Sequence, residues 1–280
     1  MIIISSIVVI LLFIHLHVYL QAQRKPYNNP SHFINNEKSA LKNKVVVCIG
    51  DSITHGRVSY NYVDLLSQRL GGSGFELVNA GVNGELASDV LQRIEEVIRC
   101  DPDFITILIG TNDISASLGR KDFRRAMRST EPAGMHGHEG HFRVNLAKIC
   151  SQLRANTKAK IALVSLPPIG EEPGHVAYLK ATRYSKVIKE VAIKEGLDYI
   201  AVHETMTDYL KKKNTRPNLR LNHNLLYIMY KGILLHYVFG QSFDEISRSN
   251  GFVLLTDFLH VNSKGAEMIA DLIQDFVTGD

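Results

Sequence analysis

A serine near the start of the chain stands where a nucleophile could act. The apolar run Val45–Ile49 predicts a buried strand, and Gly50, Asp51 and Ser52 follow it directly. Residues at the carboxyl end of such a strand line the crevice in which open α/β sheets bind ligands. A serine hydroxyl there becomes a nucleophile when a neighbouring base accepts its proton. Thr54 replaces the second glycine of the G-x-S-x-G elbow of α/β-hydrolases, so that motif is absent, and the alternative role for Ser52 is a helix N-cap.

Three more polar blocks occur at predicted strand ends or just before a predicted helix. They are Asn79-Ala80-Gly81-Val82-Asn83-Gly84, Gly110-Thr111-Asn112-Asp113 and Asp257-Phe258-Leu259-His260-Val261-Asn262. Because the carboxyl ends of parallel strands meet at one edge of a sheet, a single crevice can collect all four blocks. Asp257 and His260 are three residues apart, so both side chains can face that crevice from one short loop. An Asp-x-x-His pair alone is weak evidence for a catalytic pair. Its position after the other three blocks makes that interpretation specific.

The four blocks, in this order and spacing, resemble those of the SGNH hydrolases, also called the GDSL esterase/lipase family. The resemblance covers the chain from about residue 44 to the C-terminus. It implies that Ser52 is the nucleophile, that His260 is the base, and that Asp257 is the carboxylate orienting the imidazole. These roles agree with the chemistry, since the carboxylate fixes the histidine tautomer and stabilises the cation that forms. Such a reaction needs neither a cofactor nor a metal ion.

The resemblance also implies an oxyanion hole for the tetrahedral intermediate. Its donors are the backbone N–H groups of Ser52 and Gly84 and the side-chain amide of Asn112. Removing one such donor commonly costs about 3–4 kcal/mol of transition-state stabilisation. Gly81 is then expected to serve the turn of its block. Two carboxylates within the blocks, Asp51 and Asp113, are interpreted as hydrogen-bond acceptors that brace their loops.

The elements that position these blocks alternate between strand and helix. Strands are predicted at Val45–Ile49, Glu76–Val78, Phe104–Ile109, Lys160–Ser165 and Tyr199–Val202, and helices at Tyr62–Leu70, Ala87–Arg99, Phe142–Ala155, Val176–Glu195 and Lys264–Val277. Continuous apolar strands separated by helices indicate a parallel sheet buried on both faces. The expected fold class is therefore α/β, a three-layer doubly wound domain of about five parallel strands. The resemblance implies the same flavodoxin-like fold.

A hydrophobic helix is predicted ahead of this domain. Residues 2–20 of the 280-residue chain carry no charge, and as a helix they would reach roughly 28 Å, about the thickness of a bilayer core. We expect residues 1–23 to be an uncleaved single-pass membrane anchor; a signal peptide cleaved before secretion is the alternative. Residues 24–43 are expected to be a linker and residues 44–280 the hydrolase domain, which places the leader outside the chemistry. Arg24 and Lys25 are too few to decide which side of the membrane the domain faces.

One long insertion departs from the alternation of strands and helices. Residues 203–256 separate the last strand from the last helix, and Leu225–Phe239 within them is nearly all apolar but too short to span a membrane. Five basic residues precede it: Lys211, Lys212, Lys213, Arg216 and Arg220. We interpret the insertion as a cap that rests on an anionic membrane surface and admits acyl chains. The alternative is a solvent-exposed series of basic residues next to a buried helix.

Several other classes of site are disfavoured. The loop containing His136, His138, Glu139 and His141 is interpreted as a polar loop rather than a metal site. Three cysteines without metal-ligand spacing make a disulfide framework unlikely. A net charge of +4, with no basic motif interleaved with aromatic residues, gives no support for a nucleic-acid partner.

The sequence thus predicts a serine esterase or lipase acting on lipid or lysophospholipid esters at a membrane. A carbohydrate O-acetylesterase is the enzymatic alternative. A non-catalytic, membrane-tethered binding protein is the alternative from another class, although the expected loss of Ser52, His260 or an oxyanion donor is not seen.

Overall fold

The protein, represented by a computed structural model, is built around one parallel β-sheet. The structure describes residues 2–35, 43–118, 138–213, 217, 219 and 225–279. The strands are β1 (Lys44–Gly50), β2 (Phe75–Gly81), β3 (Phe104–Leu108), β4 (Lys160–Val164) and β5 (Asp198–Ile200). Their order across the sheet is β2-β1-β3-β4-β5, and every neighbouring pair is parallel.

The apolar runs of the sequence form the buried centre of this sheet. Gly50 at the end of β1 is in register with Gly81 of β2 and with Leu108 of β3. The loops that follow these three strands therefore leave the sheet side by side. A Cβ atom on Gly50 would lie 2.0 Å from the hydroxyl oxygen of Thr54, so only glycine allows the chain to turn this tightly into the next helix.

Helices cover the sheet in two groups. They are α1 (Ile2–Gln23), α2 (Pro30–Asn35), α3 (Ser52–His55), α4 (Tyr62–Leu70), α5 (Ala87–Gln92), α6 (Ile94–Ile98), α7 (Thr111–Ser117), α8 (Glu139–Asn156), α9 (Val176–Glu195), α10 (Val202–Lys213), α11 (Leu225–Phe239), α12 (Phe243–Asn250) and α13 (Ser263–Thr278). Helices α5, α6 and α9 pack on α8, whereas α4 and α10 pack on α13. The expected α/β fold, a five-stranded parallel sheet between helices, is confirmed.

The bounds of several predicted elements differ by a few residues, and two differences have an identifiable structural basis. The single helix expected over Ala87–Arg99 is interrupted at Arg93, whose backbone leaves helical geometry between α5 and α6. The guanidinium of Arg93 reaches back to the carbonyl oxygen of Ala80 and to Glu85, and these long-range contacts override the local helical pattern. The strand expected to run to Val202 ends at Ile200, because Val202 begins α10.

The N-terminal segment packs on the domain. Within the part of the chain that the structure describes, no helix is long and apolar enough to cross a membrane. Helix α1 packs on α11. The residues expected to form a free linker are also held: the side chain of Asn28 donates to the carbonyl oxygen of Leu77 on β2, and Phe33 is buried in the core. These contacts hold part of the predicted linker against β2 and the core.

The insertion before the last helix contains α10, α11 and α12. Helix α11, the apolar segment of the sequence, lies between α1 and α12. Lys211, Lys212 and Lys213 form the exposed end of α10, while Arg216 and Arg220 lie outside the described residues.

Candidate active site

Ser52, His260 and Asp257 form a hydrogen-bonded chain. The Oγ atom of Ser52 lies 2.9 Å from Nε2 of His260, and Nδ1 of His260 lies 2.8 Å from Oδ2 of Asp257. His260 and Asp257 are buried, while Ser52 is partly exposed. This arrangement lets a hydroxyl lose its proton to an imidazole whose other nitrogen is held by a carboxylate.

The turn after β1 sets the position of the serine. Ser52 is the first residue of α3, and Oδ1 of Asp51 caps this short helix by accepting from the backbone N–H of Ile53 at 3.0 Å. Gly81 packs against the same turn, since a Cβ atom on it would lie 2.2 Å from the backbone nitrogen of His55. The bracing role expected for Asp51 is confirmed, whereas Gly81 ends β2 and allows the turn after β1 to approach closely instead of forming the turn of its own block.

A tight loop before α13 sets the position of the histidine. Oδ1 of Asp257 accepts the backbone N–H groups of Leu259 and His260, at 2.7 Å and 2.9 Å. The loop is closed by a backbone bridge between Leu255 and Val261. One carboxylate thus folds its own loop with one oxygen and orients the imidazole with the other.

Burial and neighbouring charges shift the pKa values of three groups in the site. Burial opposes the charged forms of His260 and Asp257, but their mutual attraction and hydrogen bond outweigh it, raising the pKa of His260 and lowering that of Asp257. Burial raises the pKa of Asp51 to about 6, although the hydrogen bond from Ile53 and the nearby His260 oppose this shift. When ionised, Asp51 adds to the field that favours protonated His260.

The residues expected to form the oxyanion hole lie around the same serine. Ser52, Gly84 and Asn112 all line one cleft together with His260. Gly84 has a φ of 79°, a conformation that side-chain-bearing residues rarely adopt. Asn112 is oriented by a 3.0 Å hydrogen bond from its side-chain nitrogen to the carbonyl oxygen of Glu85. Asp113 braces the neighbouring loop by accepting from the backbone N–H of Ala87, as expected.

The cleft has a volume of about 240 Å³ and extends from the catalytic groups between α1 and α11. The apolar residues that line it are Val18, Tyr19, Ala22, Val58, Leu226, Met229, Tyr230, Ile233 and Leu259. The leader was expected to lie outside the chemistry, and the candidate catalytic groups all follow residue 44, but its helix α1 also lines the cleft. Helix α1 packs against α11, and residues of both helices line the cleft that contains Ser52.

Comparison with known proteins identifies the family. Residues 48–225 match the family model described as the GDSL-like Lipase/Acylhydrolase family. The chain belongs to this family. As a GDSL-like acylhydrolase, it is a carboxylic ester hydrolase. No match was found among curated protein sequences.

Solved structures share the fold of this GDSL-like acylhydrolase. The acetyl xylan esterase AlAXEase is similar with a TM-score of 0.61 and 20% identity, over 83% of this chain and 99% of that one. A catalytic mutant of Axe2, an acetylxylan esterase from Geobacillus stearothermophilus, gives 0.58 and 17%, over 82% and 92%. The lipase/acylhydrolase from Enterococcus faecalis gives 0.56 and 23%, over 84% and 96%.

Sequence reasoning missed an ion pair that supports the loop carrying Gly84. The carboxylate of Glu85 and the guanidinium of Arg93 are nearly buried and approach to 2.6 Å. Burial raises the pKa of Glu85, and the charge and hydrogen bonds of Arg93 limit that rise. Arg93 also donates to the carbonyl oxygen of Ala80, so it ties both ends of the loop together. The break in the helical pattern at Arg93 is visible only in the structure.

A second missed residue, Glu171, supports the catalytic acid loop of the acylhydrolase. Its buried carboxylate accepts the backbone N–H groups of Val253, Leu254 and Leu255 at 2.7–3.0 Å, just before Asp257. Burial raises the pKa of Glu171, and these backbone hydrogen bonds partly offset that rise. Nothing in the local sequence distinguishes Glu171 from its exposed neighbour Glu172.

The described residues of the histidine-containing segment lie at the start of α8 rather than in a loop, and they make separate contacts. Glu139 pairs with Arg183, and His141 lies 3.3 Å from the side-chain nitrogen of Asn145. Across the described ranges, no group of three or more histidine, cysteine, aspartate or glutamate residues could hold a metal ion. His136 falls outside those ranges.

Proposed function

We propose that this acylhydrolase cleaves esters with an apolar acyl chain, through an acyl-enzyme on Ser52. The supporting observation is the apolar cleft that begins at the Ser52 hydroxyl and runs between two hydrophobic helices. A pocket with apolar walls and a few polar groups at one end fits a chain attached to a reactive ester carbonyl. Each methylene removed from water into such a pocket contributes about 0.8 kcal/mol of binding.

The chemistry would proceed in two acyl transfers. Ser52 Oγ bonds to the ester carbonyl carbon while its proton passes to Nε2 of His260, and Asp257 stabilises the resulting imidazolium. The bond to the alcohol then breaks, and the alcohol leaves with the proton held by His260. Water attacks the acyl-enzyme, again giving a proton to His260. The carboxylic acid departs as that proton returns to Ser52.

The oxyanion of each tetrahedral intermediate would be bound by the backbone N–H groups of Ser52 and Gly84 and by the amide of Asn112. The 3.0 Å hydrogen bond to the Glu85 carbonyl holds the Asn112 amide before substrate arrives. Donors fixed in advance stabilise the developing charge without the cost of reorganising.

We further propose that the substrate is a lipid or lysophospholipid ester and that the enzyme works at a membrane surface. Exposed apolar side chains cover both helices that line the cleft, among them Ile10, Leu11, Leu12, Phe13, Leu16 and Leu20 on α1 and Tyr227, Val238 and Phe239 on α11. Exposed basic residues follow α1 at Arg24 and Lys25, occur within α11 at Lys231 and end α10 at Lys211, Lys212 and Lys213. Apolar helices with flanking cations fit the interface of an anionic membrane.

The substrate class can be measured directly with the full-length protein. Values of kcat/KM for p-nitrophenyl acetate, butyrate, octanoate and laurate should rise with chain length up to the octanoate, and lysophosphatidylcholine should be hydrolysed. The protein should also sediment with vesicles containing phosphatidylserine more than with vesicles of phosphatidylcholine alone. Preference for the acetate, with no release of fatty acid from the lysophospholipid, would remove the lipid proposal.

A carbohydrate O-acetylesterase is the second candidate. The structural neighbours AlAXEase and Axe2 are acetyl xylan esterases, which favours this reading despite the low sequence identity. Acetate release from acetylated xylo-oligosaccharides, at a kcat/KM above that for p-nitrophenyl octanoate, would select it. Failure of a fluorophosphonate probe to label the wild-type protein would instead favour a non-catalytic binding protein.

A further inference from the structure

We infer that helix α1 forms part of the acyl-binding cleft and that Val18 on this helix determines acyl-chain selectivity. This inference rests on the proposed function, because it concerns how the apolar cleft of the ester hydrolase chooses among acyl chains. It gives the N-terminal segment a role in substrate binding in place of a passive tether.

One face of α1 points into the cleft. His15, Val18, Tyr19 and Ala22 line it, with spacings of three, one and three residues. Such spacings place side chains on one side of an α-helix. Val18 is only 2% exposed and Ala22 is also buried, although they belong to a helix whose other side is largely open to solvent.

Helix α11 lines the cleft with the same pattern. Leu226, Met229, Tyr230 and Ile233 of α11 line the cleft at spacings of three, one and three residues. The two helices meet where Nδ1 of His15 lies 3.1 Å from the hydroxyl of Tyr230, with ring centroids 5.6 Å apart. This contact joins two side chains that both line the cleft.

The end of α1 is attached to the loop that carries Gly84. The side-chain nitrogen of Asn83 donates to the carbonyl oxygen of Ala22 at 2.8 Å. Farther along, the backbone N–H of Asn79 donates to the carbonyl oxygen of Asn28. The position of Val18 is therefore fixed relative to the oxyanion donors, and a change of side-chain volume there alters the space available to the acyl chain.

The outward face of the same helix offers a matched control at Val9. Nine residues separate it from Val18, which is two and a half turns at 3.6 residues per turn, so Val9 lies on the opposite side. Val9 is 49% exposed. The same pair of substitutions can therefore be made on the inner and the outer face.

The test compares acyl selectivity among full-length Val18→Phe, Val18→Ala, Val9→Phe and Val9→Ala proteins. Val18→Phe should lower the octanoate-to-acetate ratio of kcat/KM at least tenfold, because the larger ring fills the cleft. Val18→Ala should raise the laurate-to-octanoate ratio at least threefold, because it opens space. Both Val9 variants should keep the wild-type ratios within twofold. Circular dichroism and thermal unfolding report whether each variant is folded.

Unchanged ratios in the folded Val18 variants, or equal shifts in the Val9 variants, would overturn the inference. If Val18→Phe does not fold, Val18→Ala still decides the question, since it only removes volume. If the wild-type enzyme prefers octanoate and the Val18 variants keep its selectivity, the inference is contradicted and the proposed function stands. A wild-type enzyme that prefers acetate contradicts the proposed function and the inference together.

Discussion

The Ser52 hydroxyl lies 2.9 Å from Nε2 of His260, although 208 residues separate the two in sequence. Ser52 begins α3 after the first strand, and His260 lies in the loop before the last helix. Folding of the sheet and its helices therefore brings the proposed nucleophile and its base together.

Replacing Ser52 with alanine removes the proposed nucleophile. Ser52→Ala should abolish labelling by a fluorophosphonate probe and lower kcat for p-nitrophenyl octanoate by about 10⁴-fold or more. The melting temperature should stay close to that of the wild type, because the residue is partly exposed. Ser67→Ala, at an exposed position on α4, is the control and should keep full labelling. Retained labelling of Ser52→Ala would place the nucleophile elsewhere.

The acid limb of the pH profile should report His260. The imidazole must be neutral to accept the serine proton, and its pKa is raised above 6.5. The value of kcat/KM should therefore fall as pH is lowered through that raised pKa. Asp51→Asn removes a negative charge that stabilises the imidazolium and keeps an oxygen to accept from Ile53. Its acid limb should move to lower pH, and a limb that stays or moves upward would contradict this electrostatic coupling.

Glu171 is expected to act as a positioning residue for the catalytic acid loop. Glu171→Gln leaves one oxygen to accept from three backbone N–H groups, so about 1–3 kcal/mol of stability should be lost. Because this loop carries Asp257 and His260, kcat should fall while KM changes little. Glu172→Gln, at the exposed neighbouring position, is the matched control. Wild-type kcat together with a lowered melting temperature would show a purely structural role.

Asn112 is expected to stabilise the transition state more than the bound substrate. Asn112→Ala should reduce kcat by about 10²–10³-fold with a small change in KM, as for the loss of one oxyanion donor. Asn156→Ala, at the exposed end of α8, serves as the control. A change confined to KM would assign Asn112 to substrate binding alone.

Much of the fold and the placement of the site could be predicted from local pattern. Continuous apolar runs such as Val45–Ile49 predict a strand buried on both faces, and β1 contains that run. The polar blocks mark the strand ends, since a chain leaving a parallel sheet there needs tight turns and hydrogen-bond acceptors. Asp51 meets such a local requirement by accepting from the backbone N–H of Ile53.

Residues whose role depends on a distant partner could not be found in this way. Glu171 binds the backbone more than eighty residues farther along, and Arg93 breaks a helical pattern to reach Glu85 and Ala80. A carboxylate or guanidinium has the same local signature whether it is solvated or buried against such partners. Their burial follows from packing, which local periodicity does not report.

The sequence by itself determined the order of the four blocks, the parallel sheet and the apolar character of residues 2–20. Only the tertiary structure decided where that apolar segment lies. Hydrophobicity is not directional, so an apolar helix is stabilised equally by lipid, by a protein core or by another helix. The contact between His15 and Tyr230 and the attachment of Ala22 to Asn83 bring α1 to the cleft, because these polar contacts have a direction that burial alone lacks.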